Sequence, residues 1–283
     1  MKNAKSFFLK MATLLLAVLM VAAAATACVN SSTPGKIVKK TNTGLLDIGD
    51  VFEFGTYEQD NNPETVEKIS WIVLDREDGK ALVMSVAGLD VVPYNEKGGD
   101  TTWETSTARK WLNETFLSEA FDERQAKAVL TTTVSADENP KHKTSAGNET
   151  TDKIFILSID EAIRYLEPSE RKASPTDYAT AKGALGSTAK TPLCWWLLRT
   201  PGSSASLVAY VDVNGFISND GTYTQVVNNT VRPVFWIDVN TYKSVVKAEK
   251  AEEEAARAAA EAEKNKTPSP ETETPAPDVT AEP

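Results

Sequence analysis

The sequence predicts an α+β domain with antiparallel strands at both ends and short helices between them. Three observations support this class. Apolar runs flank Asp78-Gly79, helical spacing runs through residues 105–128, and short apolar runs separated by turn pairs fill the region after residue 194. Strands and helices that occupy separate parts of a chain are typical of α+β folds.

Three antiparallel strands open the predicted domain. Their sequences are "DVFEFGTYEQ", "EKISWIVLDRE" and "KALVMSVAGLD", and the first alternates as a half-buried strand does. Asp78-Gly79 lies between the second and third strands, and Asp-Gly between two apolar runs favours a tight hairpin. Trp71, in the second strand, is expected to lie in the core.

The helical region follows. Within residues 105–128, Leu112, Phe116 and Ala120 recur every four residues, which places them on one face of a helix with Trp111 beside them. Asp122 is expected to begin a second short helix. Trp111 is therefore a second candidate core residue.

Two further strands and two further helices are predicted before residue 194. The strands are "AVLTTTVSA" and "KIFILS". Ser158 or Asp160 is expected to cap the helix "DEAIRYL", because a side-chain oxygen at this position accepts from a free backbone N–H. A last short helix, "SPTDYATAKGA", has Pro175 in its first turn.

A β-meander is predicted for the C-terminal part of the domain. Its strands are "CWWLLRT", "SLVAYVDV", "FIS", "TYTQVV" and "TVRPVFWI". Asn214-Gly215, Asp220-Gly221 and Asn228-Asn229 separate the last four strands, and such pairs favour hairpin turns. Trp236, in the final strand, is expected to lie in the core.

The N-terminus predicts export and lipid attachment. A basic segment precedes an apolar run that is too short for a membrane span, and residues 1–27 are expected to be a signal peptide. Small residues directly before Cys28 resemble the lipobox of bacterial lipoproteins, which implies acylation of Cys28 and anchoring at the outer face of the membrane. Ordinary signal cleavage with release is the alternative. Acylation would leave Cys194 without a disulfide partner.

Composition divides the rest of the chain. Residues 28–45 are expected to be a flexible tether, and residues 46–240 are long enough for one hydrophobic core. Residues 241–265 are rich in Ala, Glu and Lys, which predicts a solvated helix, and the Pro-, Thr- and Glu-rich residues 266–283 are expected to be disordered. Loss of residues 1–27 would change the net charge from −10 to −13, which disfavours nucleic acid as a partner.

The motifs of the domain resemble a known family. "ISWIVLD", "CWWLLRTPG", "AYVDVNG" and "VRPVFWI" occur in this order. They are similar to a bacterial domain of unknown function with the signature "WWLRSPG … AYVNSDG … VRPALW". That family resembles the C-type lectin-like fold of formylglycine-generating enzymes and of the variable proteins of diversity-generating retroelements. The resemblance implies a C-type lectin-like domain.

The same resemblance assigns roles to several residues of the terminal strands. Trp195 and Trp196 would each pack into a separate core layer, and Arg199 and Arg232 would reach carboxylates or backbone carbonyls. A sugar-stacking surface is the alternative for the tryptophans, because an exposed aromatic face suits a pyranose ring.

Catalytic and metal-binding patterns are weak in this sequence. His142 lies in a polar loop without a nucleophile motif, and Cys194 lies in a predicted buried strand, where a thiol is inert. No catalytic residue and no metal site are therefore predicted. Calcium is the one cofactor considered. Asp212 begins a short acidic loop, and a second loop holds Asn148, Glu149 and Asp152; turn chemistry explains both loops more simply.

The polar turns of the meander suggest a binding surface. Residues 203–230 are rich in Ser, Asn, Thr and Tyr, which supply adaptable contacts in recognition loops. The residues selected from this set are Asn214, Asn219, Tyr223 and Asn228. The resulting hypothesis is a lipid-anchored, non-catalytic domain that binds a glycan or a protein. A glycan-active or cell-wall-active enzyme and a structural spacer at the cell wall are the alternatives.

Overall fold

The computed structural model describes residues 46–186, 190 and 192–264, and these form two main β-sheets, with short helices in the middle of the chain. The mixed class with antiparallel sheets and short central helices is confirmed. The segments expected to be a signal peptide (1–27), a tether (28–45) and a terminal tail (266–283) lie outside the described residues.

The first sheet has four antiparallel strands in the order β1-β2-β3-β11. They are β1 (Val51–Tyr57), β2 (Glu67–Glu77), β3 (Lys80–Ser85) and β11 (Val234–Asp238). Gly79 has a φ of 75° between β2 and β3, as the expected hairpin requires. The final strand of the domain therefore closes the sheet that the first three strands begin.

The central helical region is interrupted by a wider turn. It consists of α1 (Thr107–Trp111), a π-helical turn (Leu112–Phe116), α2 (Leu117–Ala120) and a 3-10 turn (Gln125–Lys127). Ser106 caps α1 by accepting from the backbone N–H of Arg109 at 3.1 Å. Leu112, Phe116 and Ala120 are buried, as their spacing indicates.

Of the two strands predicted after this region, the first forms but is shorter than expected. It is β5 (Thr132–Val134), which pairs with β6 (Thr150–Asp152), a strand that the sequence did not predict. The prediction of a strand at "KIFILS" was wrong, because this buried segment has only one isolated bridge, between Phe155 and Val234. The first two backbone N–H groups of this segment, at Lys153 and Ile154, donate to the side-chain oxygen of Asn113 and not to a neighbouring strand.

The next two helices are capped by hydroxyl residues. Ser158 and Glu161 form a capping box at α3 (Ile159–Tyr165), which settles the choice between Ser158 and Asp160. Thr176 caps α4 (Asp177–Ala181), so Pro175 lies just before the cap and outside the first turn.

The second sheet has five strands in the order β4-β10-β7-β8-β9. They are β4 (Asp90–Val91), β10 (Thr230–Val231), β7 (Trp196–Pro201), β8 (Leu207–Val211) and β9 (Ile217–Tyr223). β10 and β7 are parallel, and the other neighbours are antiparallel. The expected meander is therefore only partly present.

Two turn predictions and one strand prediction in this region need correction. Asn228-Asn229 is not a hairpin, because the strands before and after it, β9 and β10, are not neighbours in the sheet. Asp220-Gly221 is not a hairpin; it lies inside β9, where Gly221 has a φ of 84° and the register with β8 shifts, as in a β-bulge. The run "TVRPVFWI" is not one strand. It divides at Arg232-Pro233 into β10 and β11, so this segment connects the two sheets.

The C-terminal helix α5 (Val239–Lys264) begins in the core and continues into solvent. Val239, Tyr242 and Val245 are buried, and Tyr242 meets the rings of Phe52 and Phe54 edge to face. After residue 250 every described side chain is exposed. Within the described part of the chain, no helix is both long and apolar enough to cross a membrane.

Candidate ligand-binding surface

Strand β7 is the rigid centre of the second sheet, and all six of its residues are buried. Trp196 is 1% exposed, and its Nε1 donates to the carbonyl of Arg171 at 2.8 Å. The guanidinium of Arg232 lies 5.0 Å from the centre of the Trp196 ring, and Arg232 Nε donates to the carbonyl of Ser85 at 3.0 Å. Burial lowers the pKa of Arg232 to about 10.

Arg199 connects β7 to the loops around α3. Its guanidinium donates to both carboxylate oxygens of Glu161 and, at 3.3 Å, to Asp137. It also donates to the carbonyls of Ser135 and Ile156, at 3.1 Å and 3.0 Å. Glu161 belongs to the capping box of α3, so Arg199 fixes this helix against the sheet. Arg199 thus meets carboxylates and Arg232 meets a carbonyl.

The two adjacent tryptophans have different environments. Trp195 precedes β7, is half-buried, and stacks on Tyr210 with a ring-centre distance of 4.8 Å and an interplanar angle of 14°. The expectation that both rings occupy core layers therefore holds for Trp196 and not for Trp195. The other tryptophans expected in the core divide similarly: Trp71 and Trp236 are buried, and Trp111 is half-buried.

Strand register places three aromatic residues on one face of the second sheet. Tyr210 pairs with Ser218 of β9, and the next pair, Val211 with Ile217, faces the opposite side. Phe216 precedes Ile217, shares the face of Ser218 and is 66% exposed. Trp195 stacks on Tyr210 and so lies on this face too. We call Trp195, Tyr210 and Phe216 the aromatic surface.

A segment with two asparagines borders the aromatic surface. The carbonyl of Asn228 accepts from the backbone N–H of Leu185 at 2.6 Å, and the carbonyl of Leu185 accepts from that of Trp195 at 3.1 Å. Asn229 is fully buried, and among the described residues neither its Oδ1 nor its Nδ2 has a hydrogen-bond partner. The Oδ1 of Asn228 is likewise buried and unpartnered there.

The far end of β9 has a different set of contacts. Tyr223 is 62% exposed. Asn139 is buried, and its Nδ2 donates to the carbonyls of Pro201 and Asn219, both at 2.8 Å. This side chain fastens the loop after β5 to the bulge of β9.

Asp220 projects from the same bulge toward two basic residues. Its Oδ1 lies 2.8 Å from the Nζ of Lys141 and 2.6 Å from the Nε2 of His142. Hydrogen bonds from Lys141 and from His142 lower the pKa of Asp220.

The four residues selected from the sequence as ligand contacts do not form one cluster. Asn214 lies in the β8–β9 turn, at the end of the sheet where Trp195 enters β7, and Asn228 is joined to Trp195 through Leu185. Asn219 and Tyr223 lie farther along β9. A strand advances about 3.3 Å per residue, so Tyr223 is roughly 20 Å from the start of this seven-residue strand.

Sequence reasoning gave no specific role to Asn229 and did not include Tyr210 or Phe216. Asn229 was one of many asparagines in polar turns, and only the fold reveals that its amide is buried without a partner. Phe216 had a sequence signal, a large apolar residue directly after a turn pair, which typically marks the start of a strand.

Two acidic residues of the candidate calcium loops accept hydrogen bonds from protein groups. Oδ1 of Asp212 accepts from the N–H groups of Asn214 and Phe216, at 2.8 Å and 2.9 Å. Asp152 accepts from Trp103 and from Arg109. Within the described chain, the one group of carboxylates close enough to share an ion is different, namely Glu58, Asp60 and Glu67.

Cys194 is fully buried, and burial raises the pKa of its thiol. A buried thiol with a raised pKa is a poor nucleophile.

An acidic cavity of about 490 Å³ lies between α2, the first sheet and α5. Its lining includes Glu119, Asp122, Glu249 and Glu252. Glu252 binds Arg124 at 2.6 Å, and this contact lowers the pKa of Glu252. The general acid of a glycosidase needs a raised pKa, so the lowered pKa of Glu252 does not suit that role.

Residues 78–239, more than half of the chain, match a protein family described as "Domain of unknown function (DUF6273)". No curated protein and no solved structure matches the chain. The matched range begins at the hairpin between β2 and β3 and ends at the first residue of α5. It includes the whole second sheet and the aromatic surface. The chain belongs to the DUF6273 family.

Proposed function

We propose that this protein binds a ligand without catalysing a reaction and is held at the outer face of a bacterial membrane by an acylated Cys28. The ligand is a glycan or a protein. We also propose that the domain is C-type lectin-like. The order of its motifs supports this, as does the final segment that joins the two sheets.

One observation carries the proposal: exposed aromatic side chains lie at the edge of a sheet whose central strand is buried on both faces. β7 lies at the centre of the sheet, while Phe216 and Tyr223 are mostly exposed at the two ends of the edge strand β9, which β8 separates from β7. A binding site needs side chains held in place before the ligand arrives, because ordering them on binding costs affinity. Exposed aromatic rings on a rigid frame meet this need.

The proposal is tested by incubating the full chain with a glycan array and with envelope proteins presented individually. We expect a saturable interaction with at least one ligand. Two double variants locate it: Asn214→Ala with Asn228→Ala for one end of β9, and Asn219→Ala with Tyr223→Ala for the other. We expect one pair to weaken binding at least tenfold while the melting temperature stays within a few degrees. A ligand whose affinity survives both pairs would show that it binds elsewhere.

A further inference from the structure

Asn229 is the most unusual polar residue of the second sheet. Its carboxamide is fully buried, and both of its polar atoms lack a partner among the described residues. Buried polar groups in native proteins are nearly always hydrogen-bonded, so each exception calls for an explanation. A ligand that offers both a donor and an acceptor is one such explanation.

The position of Asn229 places it next to the aromatic surface. Thr230 pairs with Trp196, and the Oγ1 of Thr230 lies 3.3 Å from the sulfur of Cys194. These three side chains therefore share one face of the sheet. Because successive residues of extended chain alternate between faces, Asn229 and Trp195 project toward the other face.

The aromatic surface itself favours a flat apolar ligand face. Trp195 and Tyr210 stack with their ring planes nearly parallel, so each ring keeps one face that the other does not cover, and Tyr210 has the small Ser218 opposite it in β9. Phe216 is exposed beyond Ser218 on the same face. Together these residues place three aromatic rings and the small side chain of Ser218 on one face of the sheet.

We propose that the aromatic surface binds a neutral carbohydrate, with a pyranose ring against the aromatic side chains and a hydroxyl group bound by the amide of Asn229. This rests on the proposed ligand-binding function and adds the ligand class and the residues. A hydroxyl both donates and accepts, as a carboxamide does. An anionic ligand would accept a hydrogen bond from Nδ2 and leave Oδ1 without a donor. The net charge of the chain, −10, also disfavours an anion.

The burial of Asn229 has a consequence for binding. In the free protein its side chain has no access to solvent, so a ligand hydroxyl reaches it only after the segment around half-buried Asn228 shifts. The unpartnered Oδ1 of Asn228 lies in this segment and supplies a second acceptor.

The experiment titrates the full chain with soluble neutral oligosaccharides, namely chito-oligosaccharides, β-glucan fragments and mannan fragments, and with oligolysine as a cationic probe. Tryptophan fluorescence and calorimetry report binding. We expect one carbohydrate class to bind, and Trp195→Ala and Asn229→Leu each to weaken it at least tenfold. Ile163→Ala, which removes an exposed apolar side chain from α3, is the matched control and should bind normally.

Asn229→Leu separates a binding role from a structural one. Replacing an unpartnered buried amide by an apolar side chain of similar shape is neutral or stabilising, so we expect an unchanged or higher melting temperature together with the lost affinity. A lower melting temperature with normal affinity would overturn the proposal and make Asn229 a structural residue.

The remaining outcomes are also decisive. Carbohydrate binding that is lost in Tyr223→Ala but kept in Trp195→Ala would overturn the proposed site and leave the proposed function standing. Binding of oligolysine alone would show that the rings recognise a cation. Failure of every oligosaccharide to bind overturns the carbohydrate class, and the proposed function then depends on the protein ligands tested separately.

Discussion

At the scale of single residues, neighbouring positions with the same side chain have different roles. Trp196 is enclosed between Arg171 and Arg232, while Trp195 is half-buried and supported on one side by Tyr210. Both tryptophans belong to one motif. They differ in position, because Trp196 is the first residue of β7 and Trp195 lies just before that strand. β7 begins at Trp196, where the parallel strand β10 begins to pair with it.

This difference predicts unequal costs of truncation. Trp196→Ala should lower the free energy of unfolding by about 3–5 kcal/mol, because it empties a fully buried site. Trp195→Ala should cost about 1–2 kcal/mol, which is chiefly the stacking with Tyr210. Equilibrium denaturation of the two variants in the same denaturant measures both values. Equal losses would contradict the assignment of Trp196 to the core and Trp195 to the surface.

At the scale of elements, the turn pairs chosen from the sequence behave in two ways. Asp78-Gly79 and Asn214-Gly215 connect adjacent antiparallel strands, and both glycines have positive φ, as predicted. Asp220-Gly221 has the same residue types and a positive φ, yet it forms a bulge within β9. The positive φ of the glycine was therefore predictable in all three places. Whether the pair joins two strands or lies within one strand was not predictable. The contacts that Asn139 and Lys141 make with this bulge come from a loop about 80 positions away in the sequence.

The β8–β9 hairpin gives a prediction at this scale. Gly215 has a φ of 83°, and a Cβ atom there would lie 1.9 Å from the carbonyl oxygen of Pro168. Gly79 has a φ of 75° with open space around it, so it is a matched control. Gly79→Val should cost only the conformational strain, about 1–2 kcal/mol, whereas Gly215→Val adds a clash of about 1–3 kcal/mol. Chemical denaturation of both variants measures the difference, and equal costs would show that the contact with Pro168 is easily relieved.

At the scale of the whole molecule, the last of two segments that join the sheets lies just before the final strand, and one helix leaves the domain. Arg232-Pro233 passes the chain from β10 to β11, and the Pro233 carbonyl accepts from the N–H of Ser85 at 3.0 Å. α5 then packs its first turns against β1 before it extends into solvent. The domain thus has one core with the aromatic surface on its second sheet.

The proposed anchor is also a property of the whole molecule, and it leads to a prediction about labelling. Cys28→Ser should abolish incorporation of a tagged fatty acid and leave the precursor unprocessed, because the modified sulfur is lost. Cys194→Ser is the matched control and should be labelled like the parent, since Cys194 is fully buried. Labelling of the Cys28→Ser chain at the parent's level would rule out this anchor.

The sequence by itself determined the α+β class, the first three strands, a helix capped at Ser158 or Asp160, and the hairpins at residues 79 and 215. Each depends on near neighbours, through alternation, capping or positive φ, so local physical rules suffice. The division of "TVRPVFWI" between two sheets, the bulge at Asp220-Gly221 and the loss of a strand at "KIFILS" depended on distant partners. The aromatic surface and the unpartnered amide of Asn229 likewise exist only in the folded chain. Burial and hydrogen-bond pairing are properties of an assembled core, and no sequence neighbour of Asn229 reveals them.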